Sequence, residues 1–238
     1  MDNDRIQALG ALQERLGYVF RRPELLSTAL THRSYVNENP QEEIQDNERL
    51  EFLGDAVLGL CVSDLLMKKH ADFDEGTLSK IRSLLVNEKP LADLAAGLGL
   101  GQRLLLGRGE EHSGGRTKDS LLANAFEAVI AAIYLDAGFS RTKTVLKKLM
   151  APLLGDETLT AHSFDYKTAL QELCQKRYKA APVYTLLSES GPDHDKTFEV
   201  EVIAASGLKE SGRGKSKKDA QKQAAQKAWE SLHREKKS

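Results

Sequence analysis

Asn47-Glu48-Arg49-Leu50-Glu51-Phe52-Leu53-Gly54-Asp55-Ala56-Val57-Leu58 sets three carboxylates into a run otherwise suited to burial. At roughly 100° per helical residue, Glu48, Glu51 and Asp55 (i, i+3, i+7) fall within about 60° of one another on one helix face. Carboxylates in a core are costly unless they are paired or hold a cation. A second segment repeats the theme: Leu121-Leu122-Ala123-Asn124-Ala125-Phe126-Glu127-Ala128-Val129-Ile130-Ala131-Ala132-Ile133-Tyr134 is an apolar helix whose only polar interior groups are Asn124 and Glu127. These share a face as i, i+3 neighbours.

Two such helices packed together converge oxygen ligands on one point. That donor set suits Mg²⁺ or Mn²⁺, and no nearby Cys or His offers a zinc site. Other readings stay open from the residues alone. Glu48 and Glu51 could be solvated surface charges, with Asp55 paired to Arg49 or Arg82. A di-iron bundle would need Glu-x-x-His pairs, whereas Glu48, Glu51 and Glu127 are followed at i+3 by Glu51, Gly54 and Ile130.

The 238 residues are enough for two domains. A net charge of −1 hides a split: residues 1–164 carry 19 Lys+Arg against 24 Asp+Glu, and residues 165–238 carry 15 against 11. An acidic front half and a basic back half suggest a cation-binding catalytic part joined to a polyanion-binding part. Cys61 and Cys174 read as buried small apolar residues and not as a disulfide. No apolar run approaches the roughly 20 residues of a membrane span, and Met1-Asp2-Asn3-Asp4 lacks the pattern of a signal peptide. A cytoplasmic protein is expected.

From Ile6 to about Met150 apolar residues recur at helical spacing, with breaks at Pro23, Asn39-Pro40, Gly97 to Gly101 and Gly107 to Gly115. The first domain, 1–152, is therefore expected to be all-helical, followed by a linker over 153–163. A capped helix starting at Asp165, strands at Val183–Leu187 and Phe198–Val202, a third near Gly207-Leu208-Lys209-Glu210, and a last helix from about Lys217 to Leu232 make an α-β-β-β-α domain over 164–235. Gly212-Arg213-Gly214-Lys215-Ser216-Lys217-Lys218 brings cations to a helix N-terminus, where phosphates bind readily. It is not a nucleotide-binding P-loop, because the Gly required five residues before Gly214 is Lys209, and no nucleotide cofactor is expected.

The run from Asn47 to Ala56 resembles the signature of the ribonuclease III family over ten consecutive positions. Thr31-His32-Arg33-Ser34-Tyr35, Asp74-Glu75-Gly76 and Lys118-Asp119-Ser120-Leu121-Leu122-Ala123-Asn124-Ala125-Phe126-Glu127-Ala128 resemble further family motifs, and the last domain resembles a double-stranded RNA-binding domain. The resemblance covers about residues 5 to 233. It implies a Mg²⁺-dependent endonuclease for double-stranded RNA, acting on ribosomal RNA precursors and structured transcripts. Glu51, Asn124 and Glu127 would hold the metal, with Asp55 and Glu127 catalytic and Glu48 and Glu75 secondary. It also implies a homodimer in which each subunit cuts one strand, leaving short 3′ overhangs.

Phe52 resembles the residue that plugs a partner's socket, although composition alone fits an ordinary core phenylalanine equally well. Thr168, Gln171 and Glu172 would touch one minor groove and the loop at His194 the next. Lys215, Ser216, Lys217 and Lys218 would bridge the major groove between them, which reads A-form shape over roughly 16 base pairs.

One departure stands out. The family pattern carries Asp where this chain has Asn124, and an amide ligates Mg²⁺ with one negative charge fewer. A tolerated natural variant, an engineered change and a binder without catalysis are the competing readings. A non-cleaving duplex-RNA binder is the alternative function. It gives no reason to set Glu51, Asp55 and Glu127 side by side. His32 reads as a hydrogen-bonded structural residue and not a general base.

Overall fold

The computed structural model describes residues 3–155, 165–192 and 195–234, and divides into two compact units, Met1–Ser163 and Phe164–Ser238. The first is helical: α1 (Asn3–Leu16), α2 (Pro23–Ala29), α3 (Arg33–Glu38), α4 (Glu48–Lys69), α5 (Glu75–Leu85), α6 (Glu88–Leu98), α7 (Arg108–His112), α8 (Asp119–Leu149) and α9 (Ala151–Gly155). Its described residues include no strand, only an isolated parallel bridge between Thr31 and Leu105. The expected breaks do their work. Pro23 opens α2, where its missing N–H costs nothing, and Gly99 closes α6 in the left-handed region at φ 71°. Residues 153–155, expected in the linker, belong to α9; the rest of the expected linker, 156–163, lies outside the described residues.

Helix α8 is the axis of this unit. Leu122, Phe126, Val129, Ile130 and Ile133 are buried against α4, α6 and α2, and a helix apolar on nearly every side is one that neighbours surround. Each such side chain contributes roughly 1.5–3 kcal/mol on burial. The same apolarity corrects one expectation: by length and composition α8 could cross a membrane. Most of that stretch is buried inside the unit, and Gly138, at φ 75° and ψ 176°, breaks its helical path.

A close backbone approach lies where α4 crosses α8. A Cβ added to Gly54 would sit 2.0 Å from the carbonyl oxygen of Glu127, so only glycine lets the two backbones touch. A mid-helix glycine costs roughly 0.5–1 kcal/mol in chain entropy; here the cost is offset by close packing at the middle of the core.

In the second unit, α10 (Tyr166–Tyr178) and α11 (Lys217–Arg234) pack on an antiparallel sheet of β1 (Val183–Ser190), β2 (Thr197–Ile203) and β3 (Lys209–Gly214), in the order β1-β2-β3. Leu170, Cys174, Val200, Val202, Ala220, Ala224 and Ala228 are among its buried residues. The third strand differs from its expected place. Gly207 lies in the turn before it at φ 87°, and Gly212-Arg213-Gly214, read as flexible loop, are its last three residues. Glycine-rich sequence argues against a strand, but a Cβ at Gly212 would lie 2.3 Å from the Ala224 nitrogen and 2.4 Å from the Ala220 oxygen. The strand therefore needs glycine to lie flat on α11.

Substituting Gly54→Ala is expected to cost about 1–3 kcal/mol through overpacking, lowering the melting midpoint by several degrees at roughly 2–4 °C per kcal/mol. Gly97→Ala on α6, where a Cβ meets nothing within 4 Å, should be neutral or stabilising by up to about 1 kcal/mol. Thermal melts of both variants check the contrast.

Candidate active site and duplex-binding face

The start of α4 is fixed by Asn47, a buried polar residue. Its backbone N–H donates to Thr31 O at 2.9 Å and its side-chain amide to Ala29 O at 3.3 Å, while its carbonyl accepts from Glu51 N at 2.8 Å. Asn47 thus ties the first turn of α4 to the end of α2. Sequence reading included Asn47 in the signature without a role; a lone asparagine entering an apolar helix was the available signal.

Glu48 follows on the surface, its Oε1 3.2 Å from Arg33 Nη1. Glu51 is half-buried and Asp55 exposed, so the acidic strip lies along the edge of the core and not within it. The arginine pairing considered for Asp55 is absent among the described residues, and Arg82 reaches Ser63 Oγ at 3.0 Å instead. From α8, Asn124 and Glu127 are both half-buried. The Asn124 side chain hydrogen-bonds to Glu51. Glu51, Asp55, Asn124 and Glu127 are therefore brought together across the α4–α8 crossing. Glu75 is not part of that group. It opens α5, accepts from Ser79 Oγ at 2.9 Å and lines a separate groove of about 370 Å³ with Ser63, Met67 and Arg82.

Electrostatics mark the crossing as strained toward a cation. Burial pushes the Glu127 carboxyl up to about 7, and the charges of Asp55 and Glu51 push the same way. Burial also raises Glu51, with Glu48 adding to the rise and the Asn124 hydrogen bond opposing it. Among the described residues no basic side chain acts on either glutamate. Among the described residues no three His, Cys, Asp or Glu side chains stand close enough to hold a metal by themselves. The donors here are two glutamates and an amide with Asp55 nearby, all oxygen, and this set fits a hard divalent cation.

His32 is structural. Its Nδ1 accepts from Ser34 N at 3.2 Å and lies 2.8 Å from Ser34 Oγ, capping α3. Phe52 is 83% exposed on α4, which removes the core reading of that residue.

In the second unit, Asp165 caps α10, accepting from Thr168 N at 3.1 Å and Thr168 Oγ1 at 3.0 Å. Thr168, Gln171 and Glu172 line a shallow depression of about 500 Å³ on the exposed face of α10. Gln175, Lys176 and Lys179 line it too; they were missed, although their spacing from Gln171 (i+4, i+5, i+8) carries the face on by about two turns. Lys215 pairs with Asp195 at 2.6 Å, Lys217 Nζ lies 5.7 Å from the centre of the Phe198 ring, and Lys218 is exposed. Ser216 caps α11, accepting from Asp219 N at 3.1 Å and donating to Asp219 Oδ2 at 2.7 Å, which adds a structural role to its expected contact with RNA. His194 lies outside the described residues.

Residues 22–172 match the Ribonuclease-III-like family and residues 166–232 the Double-stranded RNA binding motif. The chain belongs to the ribonuclease III family. Ribonuclease 3 of Syntrophobacter fumaroxidans is 54% identical over 224 residues, covering 92% of this chain and 93% of its own. Ribonuclease 3 of Geobacter metallireducens is 47% identical over 215 residues, covering 90% and 87%. A solved nuclease domain of ribonuclease III from Campylobacter jejuni, described for flexibility in a region involved in dimer formation, is similar at a TM-score of 0.57 and 44% identity, spanning 61% of this chain and 98% of that one. This ribonuclease III-type chain is an endonuclease for double-stranded RNA, from a family that is metal-dependent in general.

The Glu127 carboxyl gives a pH signature. The folded protein keeps its proton up to about pH 7, whereas the unfolded chain loses it near 4.5, so between those values the folded state binds more protons and stability falls as pH rises. In chelator, Glu127→Gln should therefore melt higher than the parent at pH 8, with the gain shrinking toward pH 5. Paired melts across that range check it; a gain that does not depend on pH would mean that burial and the neighbouring carboxylates do not raise this carboxyl.

Proposed function

We propose that Glu51, Asn124 and Glu127 hold a divalent cation, Mg²⁺ in the cell with Mn²⁺ able to substitute, and that Asp55 and Glu127 handle the protons of phosphodiester hydrolysis. The observation that carries this is the meeting of Glu51, Asn124 and Glu127 where α4 touches α8 through Gly54. A divalent cation supplies an acidified water as nucleophile and neutralises charge that builds on the phosphate in the transition state. Around it, Glu51 and the amide oxygen of Asn124 are the fixed donors. Asp55, exposed and without an ion-pair partner among the described residues, would face the substrate. Glu127, set beside Asp55 and Glu51 at the crossing, would hold the cation and, with Asp55, orient the water that attacks the phosphate. Products carry 5′-phosphate and 3′-hydroxyl ends with short 3′ overhangs. Ribosomal RNA precursors and structured transcripts are the substrates in the cell.

The second unit reads duplex shape. Thr168, Gln171 and Glu172 meet one minor groove, His194 the next, and Lys215, Ser216, Lys217 and Lys218 the phosphates between. The working unit is a homodimer. Phe52, Leu60 and Met67, all more than half exposed, fall within about 80° on α4 at 100° per residue, and an apolar stripe of this kind is suited to a second copy. Glu48 and Glu75 act in support, near the RNA path or the subunit interface. The functional boundaries are 1–152 for catalysis, 153–163 for the linker and 164–235 for RNA binding. A cytoplasmic location agrees with two free, buried cysteines.

End-labelled RNA duplex, single-stranded RNA and DNA duplex, each with Mg²⁺ or EDTA, test the reading. Cleavage of the RNA duplex alone and only with Mg²⁺ is expected, and duplex retained but never cut would favour a binder disabled at position 124. Glu127→Gln should abolish cleavage while duplex binding stays within a few-fold. Asn124→Asp should lower the Mg²⁺ concentration for half-maximal rate, and an unchanged requirement would remove residue 124 from the donor set.

A further inference from the structure

The acidic site must accept a polyanion, yet Glu48 and Asp55 are exposed at its edge, Glu51 and Glu127 are half-buried behind them, and among the described residues no basic side chain acts on either of these two glutamates. Arg33 pairs with the outermost of these carboxylates. Its Nη1 lies 3.2 Å from Glu48 Oε1, and both side chains are more than half exposed. Glu48 in turn lies close enough for its charge to act on Glu51, which puts the guanidinium beside the site.

The backbone under Arg33 is tied to its neighbours at several points. Arg33 is the first residue of α3, a helix of six residues. His32 caps it, and Ser34 Oγ accepts from Gly107 N at 2.9 Å. Glu38 accepts from Arg108 N at 3.0 Å, tying the far end of α3 to α7. Thr31, two residues before Arg33, is joined by its carbonyl to Asn47 N at 2.9 Å, at the very start of α4. The base of Arg33 is thus fixed relative to Glu51, while its head group rests on one exposed carboxylate. An exposed pair of this kind contributes at most about 1 kcal/mol, so the guanidinium can exchange Glu48 for another anion at little cost. Its planar fork matches a phosphate as well as it matches a carboxylate.

We propose that Arg33 is a substrate-positioning residue: on approach of duplex RNA it leaves Glu48 for a backbone phosphate flanking the scissile bond, and so seats that bond against the acidic crossing. Glu48 then serves as the resting partner that keeps the guanidinium aimed at the site when RNA is absent. The proposal rests on the nuclease reading above, and cleavage by the parent chain in the same assay separates failure of that reading from failure of this one.

The test measures kcat/KM of the full chain on an RNA duplex with Mg²⁺ across a KCl series, for the parent, Arg33→Gln and Arg33→Lys. Loss of one phosphate contact should make the slope of log(kcat/KM) against log[KCl] shallower by about 0.7–0.9. Arg33→Gln should show that change, with the defect mainly in KM and the melting temperature close to that of the parent. Arg33→Lys, which keeps the charge, should recover most of the slope. An unchanged slope in Arg33→Gln, a lysine variant no better than glutamine, or a fall in melting temperature matching the loss of activity would each overturn the proposal and leave Arg33 as a clamp between α3 and α4.

Discussion

Everything in the catalytic unit hangs on one contact: the backbone of α4 at Gly54 laid against the carbonyl of Glu127 on α8. Both helices are well populated with buried apolar side chains, and hydrophobic burial alone would accept many separations between them. The missing Cβ selects the closest one. Because Glu51 and Asp55 flank Gly54 on α4, and Asn124 lies three residues from Glu127 on α8, a packing constraint in the core sets the geometry of the oxygen donors at its edge. Asn47 performs the same service at the end of α4, joining its first turn to α2.

The crossing concentrates charge without neutralising it. Glu127 meets the charges of Asp55 and Glu51, and among the described residues no basic side chain opposes them; such an arrangement costs stability and makes a place where a cation is welcome. The second unit shows the opposite economy. Its lysines at 215 and 217 rest on the exposed Asp195 and the half-buried Phe198 ring, weak partners that a phosphate can replace. The chain thereby carries two contrasting surfaces, a half-buried acidic crossing and an exposed basic face.

Much of this was legible in the sequence, for physical reasons that differ from residue to residue. Helix periodicity with carboxylates at i, i+3 and i+7 put Glu48, Glu51 and Asp55 on one face, and the polar pair Asn124 and Glu127 was visible because nothing else polar interrupts that apolar stretch. Asp165 was legible as a cap because its side chain closes a local bond. Features set by tertiary contact were not. Gly212 looked like loop, since its need for glycine comes from α11 passing over β3. The exposure of Asp55 and Phe52 depends on which neighbours fail to cover α4, and no local pattern reports that. Gln175, Lys176 and Lys179 escaped because a polar helix face has no apolar periodicity to mark its end.

The central claim is that the α4–α8 crossing is a divalent-cation site, and the most direct measurement of it is Mn²⁺ uptake by the full chain, followed through loss of the free-Mn²⁺ EPR signal, in the parent and in Glu51→Gln. The account predicts that the parent takes up Mn²⁺ and that Glu51→Gln binds it several-fold more weakly while keeping its fold by circular dichroism. Equal uptake by both proteins would contradict it and move the cation away from the crossing.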